Sequence, residues 1–275
     1  MRLLEQPEIL STGCYLQLPL KLTLLDDAII RSNEPEEVLT FRYKELGNRF
    51  IIPWRKIKGK LRRLVLEKQR GLNIEPECAL KDDLCMKCPT CFLFGGTGET
   101  SKNKVSYNIL SRVYGETFIS ETEVGDITPY TQNAVREQDL KTGQALMSIL
   151  TVPRETVFIG VVTLKDPTPE MAAILVYNLN RMSRIGARSV EWGRIQVKIE
   201  GAYLSDREVL SGFLELKGRL DPEGREEGEN EYQQKTLQDI ESLKLPKVDV
   251  AYNTLNNQVK KIIESLEGIS AKNND

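Results

Sequence analysis

The sequence predicts an α+β fold built on a ferredoxin-like core, in the order βαββαβ. Three observations predict it. Apolar residues alternate at period two over Cys14–Leu24, a long helix with an apolar stripe starts at Pro53, and a β-branched run at Thr156–Leu164 is followed by a capped helix and another alternating strand. The 275 residues suit one large domain with insertions or two smaller ones.

In the first strand the even positions are Cys14, Leu16, Leu18, Leu20, Leu22 and Leu24, and the odd ones are Tyr15, Gln17, Pro19, Lys21 and Thr23. Such a strand buries one face. Pro19 lacks a ladder donor, which predicts an edge strand or a bulge. Asp26-Asp27 ends it. Residues 31–49 read as a polar connection with Phe41 and Tyr43 in a short strand, leading into Phe50-Ile51-Ile52. The helix from Pro53 runs to about Gln69 and stops at Gly71, and Val105, Tyr107, Ile109 and Val113 alternate as a second core strand. Residues 124–144 are polar and aperiodic, a loop long enough to be functional or disordered. Thr156–Leu164 is apolar on both faces, as a central strand is. Asp166-Pro167-Thr168-Pro169-Glu170 caps a helix that buries Ala172, Leu175, Val176 and Leu179 and ends near Arg181. Ile195, Val197 and Ile199 form the next strand, and Val209–Leu216 reads as another. Residues 221–232 carry six acids and form an acidic linker. The segments 233–245 and 248–268 have helical periodicity, with a frayed tail from Ala271. The organisation is therefore a core over 1–220 with insertions at 72–104 and 124–144, the linker, and a helical segment over 233–275.

Composition excludes several functions. There are no histidines, so Ser-His-Asp and Cys-His catalysis and any His-containing metal site fall away. No apolar run approaches the ~20 residues that span a bilayer, and Glu5, Pro7 and Glu8 interrupt the N-terminal apolar residues, so a cytoplasmic protein without membrane partners is expected.

The formal charge is only −2, yet six of the nine residues from Arg55 to Arg63 are basic and none is acidic. On the helix, Ile57, Leu61, Leu64 and Val65 make an apolar stripe, with Arg55, Lys58 and Arg62 on one flank and Lys56, Lys60 and Arg63 on the other. Gly59 costs roughly 1 kcal/mol relative to Ala there, which points to close approach of a partner to the backbone. A phosphodiester chain fits these cations. A second basic segment carries Arg181, Arg184, Arg188 and Arg194 with Gly186 and Gly193, which would bring backbone close to a ligand beside forked phosphate donors. Its bland alternative is a solvated turn.

Cys78, Cys85, Cys88 and Cys91 are spaced C-x6-C-x2-C-x2-C. Two-residue gaps let thiolates converge on a tetrahedral centre, and structural Zn²⁺ is the first choice. An iron–sulfur cluster is the alternative, although no C-P run completes that pattern. Phe94-Gly95-Gly96-Thr97-Gly98-Glu99-Thr100-Ser101-Lys102 is glycine-rich but lacks the terminal Gly-Lys-Ser/Thr of a P-loop, which excludes a nucleotide triphosphatase on this motif.

Three strings carry a family resemblance. Ile52-Pro53-Trp54-Arg55-Lys56-Ile57-Lys58-Gly59-Lys60-Leu61-Arg62 resembles the I-P-G-S-S-I-K-G-x-L-R signature of the CRISPR-associated RAMP superfamily. Cys88-Pro89-Thr90-Cys91-Phe92-Leu93-Phe94-Gly95 resembles the segment that follows it in backbone subunits, and Arg184–Arg188 with Gly193-Arg194 resembles their glycine-rich element. Together they look closest to the backbone subunit of a type I-D Cascade. The resemblance implies an RRM-like core with zinc-bearing and thumb-like insertions, the thumb being 124–144. It implies a non-enzymatic scaffold for antiviral defence that polymerises along CRISPR guide RNA and contacts other Cascade subunits, leaving bases free to pair with target nucleic acid. Trp54-Arg55-Lys56 stands where Gly-Ser-Ser is usual, adding charge and a ring able to stack. Related type III subunits cleave target RNA with an aspartate after the first strand. Asp26 and Asp27 lie in that region, which leaves a metal-dependent nuclease as the alternative activity.

Overall fold

The computed structural model describes residues 1–31, 38–80, 82–127, 130–135, 142–220 and 237–272. The acidic linker 221–232 lies outside the described residues, as do 136–141 of the thumb-like insertion. Eight strands form one antiparallel sheet: β1 (Tyr15–Leu24), β2 (Thr40–Tyr43), β3 (Gly47–Ile52), β4 (Val113–Gly115), β5 (Phe118–Glu123), β8 (Val157–Lys165), β9 (Ile195–Ile199) and β10 (Tyr203–Ser205). Along it the order is β10-β1-β8-β5-β3-β2, with β9 also on β1 and β4 also on β8. A separate hairpin pairs β6 (Tyr130–Val135) with β7 (Thr142–Ile149). The described helices are α1 (Trp54–Gly71), α2 (Pro89–Phe94), α3 (Pro169–Asn180), α4 (Gly212–Leu220) and α5 (Val248–Lys272).

β1 is interior, contrary to the expectation set by Pro19. It pairs with β8 along nearly its whole length, and its other side is shared by β10 at Tyr15–Gln17 and β9 at Leu20–Leu24. Pro19 falls in the gap between these two short strands, where its missing N–H is not called on; only its carbonyl is used, accepting from Glu200 N–H. The five leucines at even positions are buried, as the alternation requires. Gln17 on the opposite face is buried too, because its amide carries the approach to α4. Nε2 donates to the Leu210 carbonyl at 3.1 Å, and Oε1 accepts from the Val209 and Leu210 N–H groups.

One sheet face joins α1, α3 and α5 in the main core, which includes Leu18, Phe118, Phe158, Leu61, Leu175 and Leu255. The other face carries a smaller cluster of Leu46, Ile119, Ile159 and Leu216 with Tyr43 and Phe213. The Val209–Leu216 segment ends in a helix, not a strand, because Phe213 and Leu216 at i, i+3 cover one patch of sheet. The described part of 233–245 forms only a 3-10 turn at Ile240–Leu243, and Gln238 pairs with Ala202 instead. The second core strand is β4–β5, not Val105–Val113. Val105, Tyr107 and Ile109 pack around the cysteines, which takes that alternation out of the sheet. The aperiodic 124–144 insertion contains β6 and enters β7, so part of it is a hairpin.

Candidate nucleic-acid interface and metal centre

α1 follows Pro53, buries Ile57, Leu61, Leu64, Val65, Leu66 and Gln69, and has no acid in its first turn. Its cations divide into two sets. Lys58 Nζ donates to Ser111 Oγ at 3.0 Å and an Arg62 guanidinium nitrogen to the Gly95 carbonyl at 2.9 Å, so these two hold the chain that follows the cysteines. The side chains of Arg55, Lys56, Lys60 and Arg63 make no hydrogen bond or ion pair with any described residue. Lys56 is pulled below the ordinary lysine pKa by partial burial and then by the positive fields of Arg55 and Arg31. Lys58 is lowered by burial and by Arg62. Crowded cations of this kind create a local positive potential that an anion relieves. A Cβ on Gly59 would meet nothing within 4 Å, so the backbone there is open on the outside. The Trp54 ring packs over Gly115 of β4 and joins the rim of the main core.

The second basic segment is knitted to residues 25–31. Ile29 bridges Ala187, the Gly193 N–H donates to the Asp27 carbonyl, and Arg184 bridges Arg194. Gly186 and Gly193 have φ of +92° and +73°, and a Cβ on them would come within 2.7 Å of the Ile29 carbonyl and 2.0 Å of the Ile185 carbonyl. Their freedom thus serves close packing of the chain against itself, not approach of a ligand. Arg181 points inward to α1, donating to the Leu64 carbonyl and to Asn178 Oδ1 and pairing with Glu67 at 2.7 Å. Arg184 donates to the Trp192 carbonyl at 3.4 Å, and Arg188 is exposed.

Asp26 and Asp27 are both engaged. Asp26 accepts from Arg194 N–H and Nε, and Asp27 accepts from Arg154 N–H at 3.0 Å. Slight burial raises the Asp26 carboxyl, but the Arg194 hydrogen bonds and charge outweigh it and hold its pKa below the usual carboxylate value. Segment 25–31 therefore joins the two basic regions, with Arg31 beside Lys56 at one end and Asp26-Asp27 against the Gly-rich loop at the other. Arg31 and Arg154 each stand alone in the sequence, with no local run of charge to mark them.

The four cysteines converge. All four sulfurs lie within 4.8 Å of one another, with Cys78–Cys91 at 3.7 Å and Cys78–Cys88 at 3.8 Å. The Cys85 N–H points at Cys78 Sγ and the Cys91 N–H at Cys88 Sγ, the latter because Cys88 caps α2. Hydrogen bonds from the other three thiols pull the Cys78 thiol far down, making it the first to ionise. This cluster could bind a metal ion. It is fastened to α1, since Arg70 donates to the Cys78 carbonyl and Gln69 Oε1 accepts from the N–H and hydroxyl of Thr90.

A family model described as Csc2 CRISPR matches residues 47–272. The chain belongs to the Csc2 CRISPR family. No curated protein matches the sequence. Among solved structures, the crystal structure of Thermofilum pendens Csc2 aligns over 96% of this chain and 95% of its own, with 20% identity and a TM-score of 0.58, which makes the likeness one of fold. More distant likenesses are to a chain of a type IV-B CRISPR complex (12% identity, 66% of this chain and 90% of that chain, TM-score 0.49) and of a type III-B Cmr-beta complex bound to cognate target RNA (15%, 69% and 60%, 0.45). No helix among the described residues of this Csc2-family chain is long and apolar enough to cross a membrane.

Proposed function

We propose that this Csc2-family chain is a guide-RNA-binding backbone subunit of a CRISPR effector complex of the Cascade type, closest to type I-D, repeated along the guide and presenting it for target pairing. One observation carries the reading: Lys56 is crowded by Arg55 and Arg31, and the neighbouring Lys60 and Arg63 have no acidic partner among the described residues. Phosphate contacts of this kind position a strand without reading its sequence, which leaves base edges available. Arg55, Lys56, Lys60 and Arg63 would hold phosphates directly, with Gly59 at the closest approach. Arg188 and Arg194 would extend the contact, while Lys58, Arg62, Arg181 and Arg184 would shape the surface. The strand sequence β9-β1-β8-β4 with α1 and α3 on one face supports the ferredoxin-like, RRM-like reading of the core.

The subunit is proposed to be non-catalytic, and the ion pairing of Asp26 and Asp27 supports a structural role for both. Cys78, Cys85, Cys88 and Cys91 would hold a structural Zn²⁺, which cross-links the insertion and takes no part in chemistry. Tetrahedral ligands about 2.3 Å from zinc sit about 3.8 Å apart, matching the sulfur separations. An iron–sulfur cluster spreads its thiolates around several atoms, so the close sulfur spacing favours zinc.

The test is binding of a fluorescent single-stranded RNA to the purified full chain from 50 to 300 mM salt. Affinity is expected to fall steeply, with a log–log slope of about −0.7 per phosphate neutralised. Absence of affinity at low salt would sink the proposal.

A further inference from the structure

We infer that the β2–β3 hairpin is a second contact for single-stranded nucleic acid, with Phe41 as a base-stacking ring and Arg42 and Lys44 as phosphate anchors. This deepens the nucleic-acid-binding role proposed above. Phe41 is 54% exposed on β2, the last strand of the sheet, so nothing among the described strands pairs with its outer edge. Its ring is fixed edge-on against Tyr43 at 4.8 Å, and Tyr43 rests on Phe213 at 5.6 Å over the smaller core cluster. An aromatic ring fixed on one side and open on the other is what stacking on an unpaired base requires.

Charge distinguishes this occupant from an apolar partner. The side chains of Arg42 and Lys44 are exposed and make no hydrogen bond or ion pair with any described residue. Among the described residues, three neighbouring acids already have cationic partners: Glu45 with Lys217 at 3.1 Å, Glu121 with Arg219 at 2.5 Å, and Glu123 with Arg49 at 3.8 Å. Arg42 and Lys44 therefore stand beside acids that are already engaged by other cations. Buried Arg49 also braces the turn, donating to the Leu46 and Glu121 carbonyls at 2.6 Å each, so the platform is held ready. β3 separates this turn from the start of α1 by its own length, on the order of 17 Å for six residues, so the two contacts are distinct footprints. The Asn48 carbonyl accepts from Val124 N–H, which puts the hairpin beside the root of the β6–β7 insertion.

The test is photo-cross-linking of the full chain to a single-stranded oligonucleotide carrying 5-iodouridine, with the linked peptide mapped by mass spectrometry. Cross-links are expected at Phe41 or Tyr43. Phe41→Ala should weaken affinity about five-fold or more, and Phe41→Trp should retain it. Arg42→Glu with Lys44→Glu should flatten the salt slope by about 1.4. If the oligonucleotide binds with cross-links confined to α1 or the Arg184–Arg194 loop, the hairpin contact is overturned and the main proposal stands. If nothing binds, both fall. If Phe41→Ala alters only the concentration dependence of self-association, the hairpin meets a second copy of the chain, and the inference is likewise overturned.

Discussion

Arg194 grips Asp26 twice, its backbone N–H donating to one carboxylate oxygen at 2.6 Å and its Nε to the other at 2.7 Å. A candidate phosphate-binding cation and a candidate catalytic carboxylate thus neutralise each other. Asp26→Asn should leave Arg194 freer, tightening RNA binding about two- to five-fold at low salt and steepening the salt slope by about 0.7. Fluorescence anisotropy across a salt series measures both. Unchanged or weaker binding would show that Arg194 serves the loop alone.

The two sets of α1 cations should separate in mutagenesis. Lys56→Glu, Lys60→Glu and Arg63→Glu together should remove most RNA affinity with the melting temperature held to within a degree or two, since these side chains have no described partner. Arg62→Ala should instead destabilise by about 1.5–3 kcal/mol through loss of the charged hydrogen bond to the Gly95 carbonyl. Thermal melting and RNA binding on the same preparations distinguish the two classes.

Elemental analysis should find about one zinc per chain, lost in Cys88→Ser or Cys91→Ser. Removing it with a strong chelator should lower the melting temperature by about 5 °C or more, because the insertion that the metal closes is tied to α1 through Gln69 and Arg70. A metal-free chain with unchanged melting would refute a structural ion.

Buried Tyr252 ties three helices together, donating to the Val65 carbonyl at 3.0 Å and accepting from Asn178, which in turn receives Arg181. Tyr252→Phe should cost about 1–3 kcal/mol, seen as a lower melting temperature, with RNA affinity little changed because none of Arg55, Lys56, Lys60 and Arg63 hydrogen-bonds to this network.

Acid stability has two opposing contributions. Asp166 is raised by burial but lowered more by its hydrogen bonds from Thr12, Ser11 and Cys14, so its folded pKa lies below the unfolded value of about 3.9. It adds stability above that value and loses it as pH falls through the folded pKa. Glu116 is the reverse, raised by burial despite accepting from Gly212 and Val161 N–H, with Glu208 adding to the rise. Its favourable contribution is complete below the unfolded pKa and is lost as pH climbs through the folded one. Glu116→Gln should therefore gain stability relative to wild type between pH 5 and 8, while Asp166→Asn should lose its disadvantage only in acid. Melting temperatures from about pH 3 to about pH 8 give both signs directly.

What could be read from the sequence was whatever repeats locally. The leucines of β1, the stripe of α1 and the cysteine spacing follow from strand period, helix period and thiolate convergence, and each survives in three dimensions. What escaped depends on residues far apart in the chain. The Arg194–Asp26 pair spans 168 positions, and nothing near either residue announces the other. Gly186 and Gly193 suggest approach of a ligand, but the groups that crowd them in the fold are the chain's own Ile29 and Ile185 carbonyls. Val209–Leu216 reads as a strand yet ends in a helix, because so short an apolar run fits both periods.

Pro19 sits where β9 and β10 leave β1 unmatched. Any slip of β9 or β10 along β1 would bring a strand against a residue that cannot donate, so the proline acts as a register peg. It divides one strand edge into two separate berths, and it keeps the chain after the Gly-rich loop from closing on β1 as a single long strand.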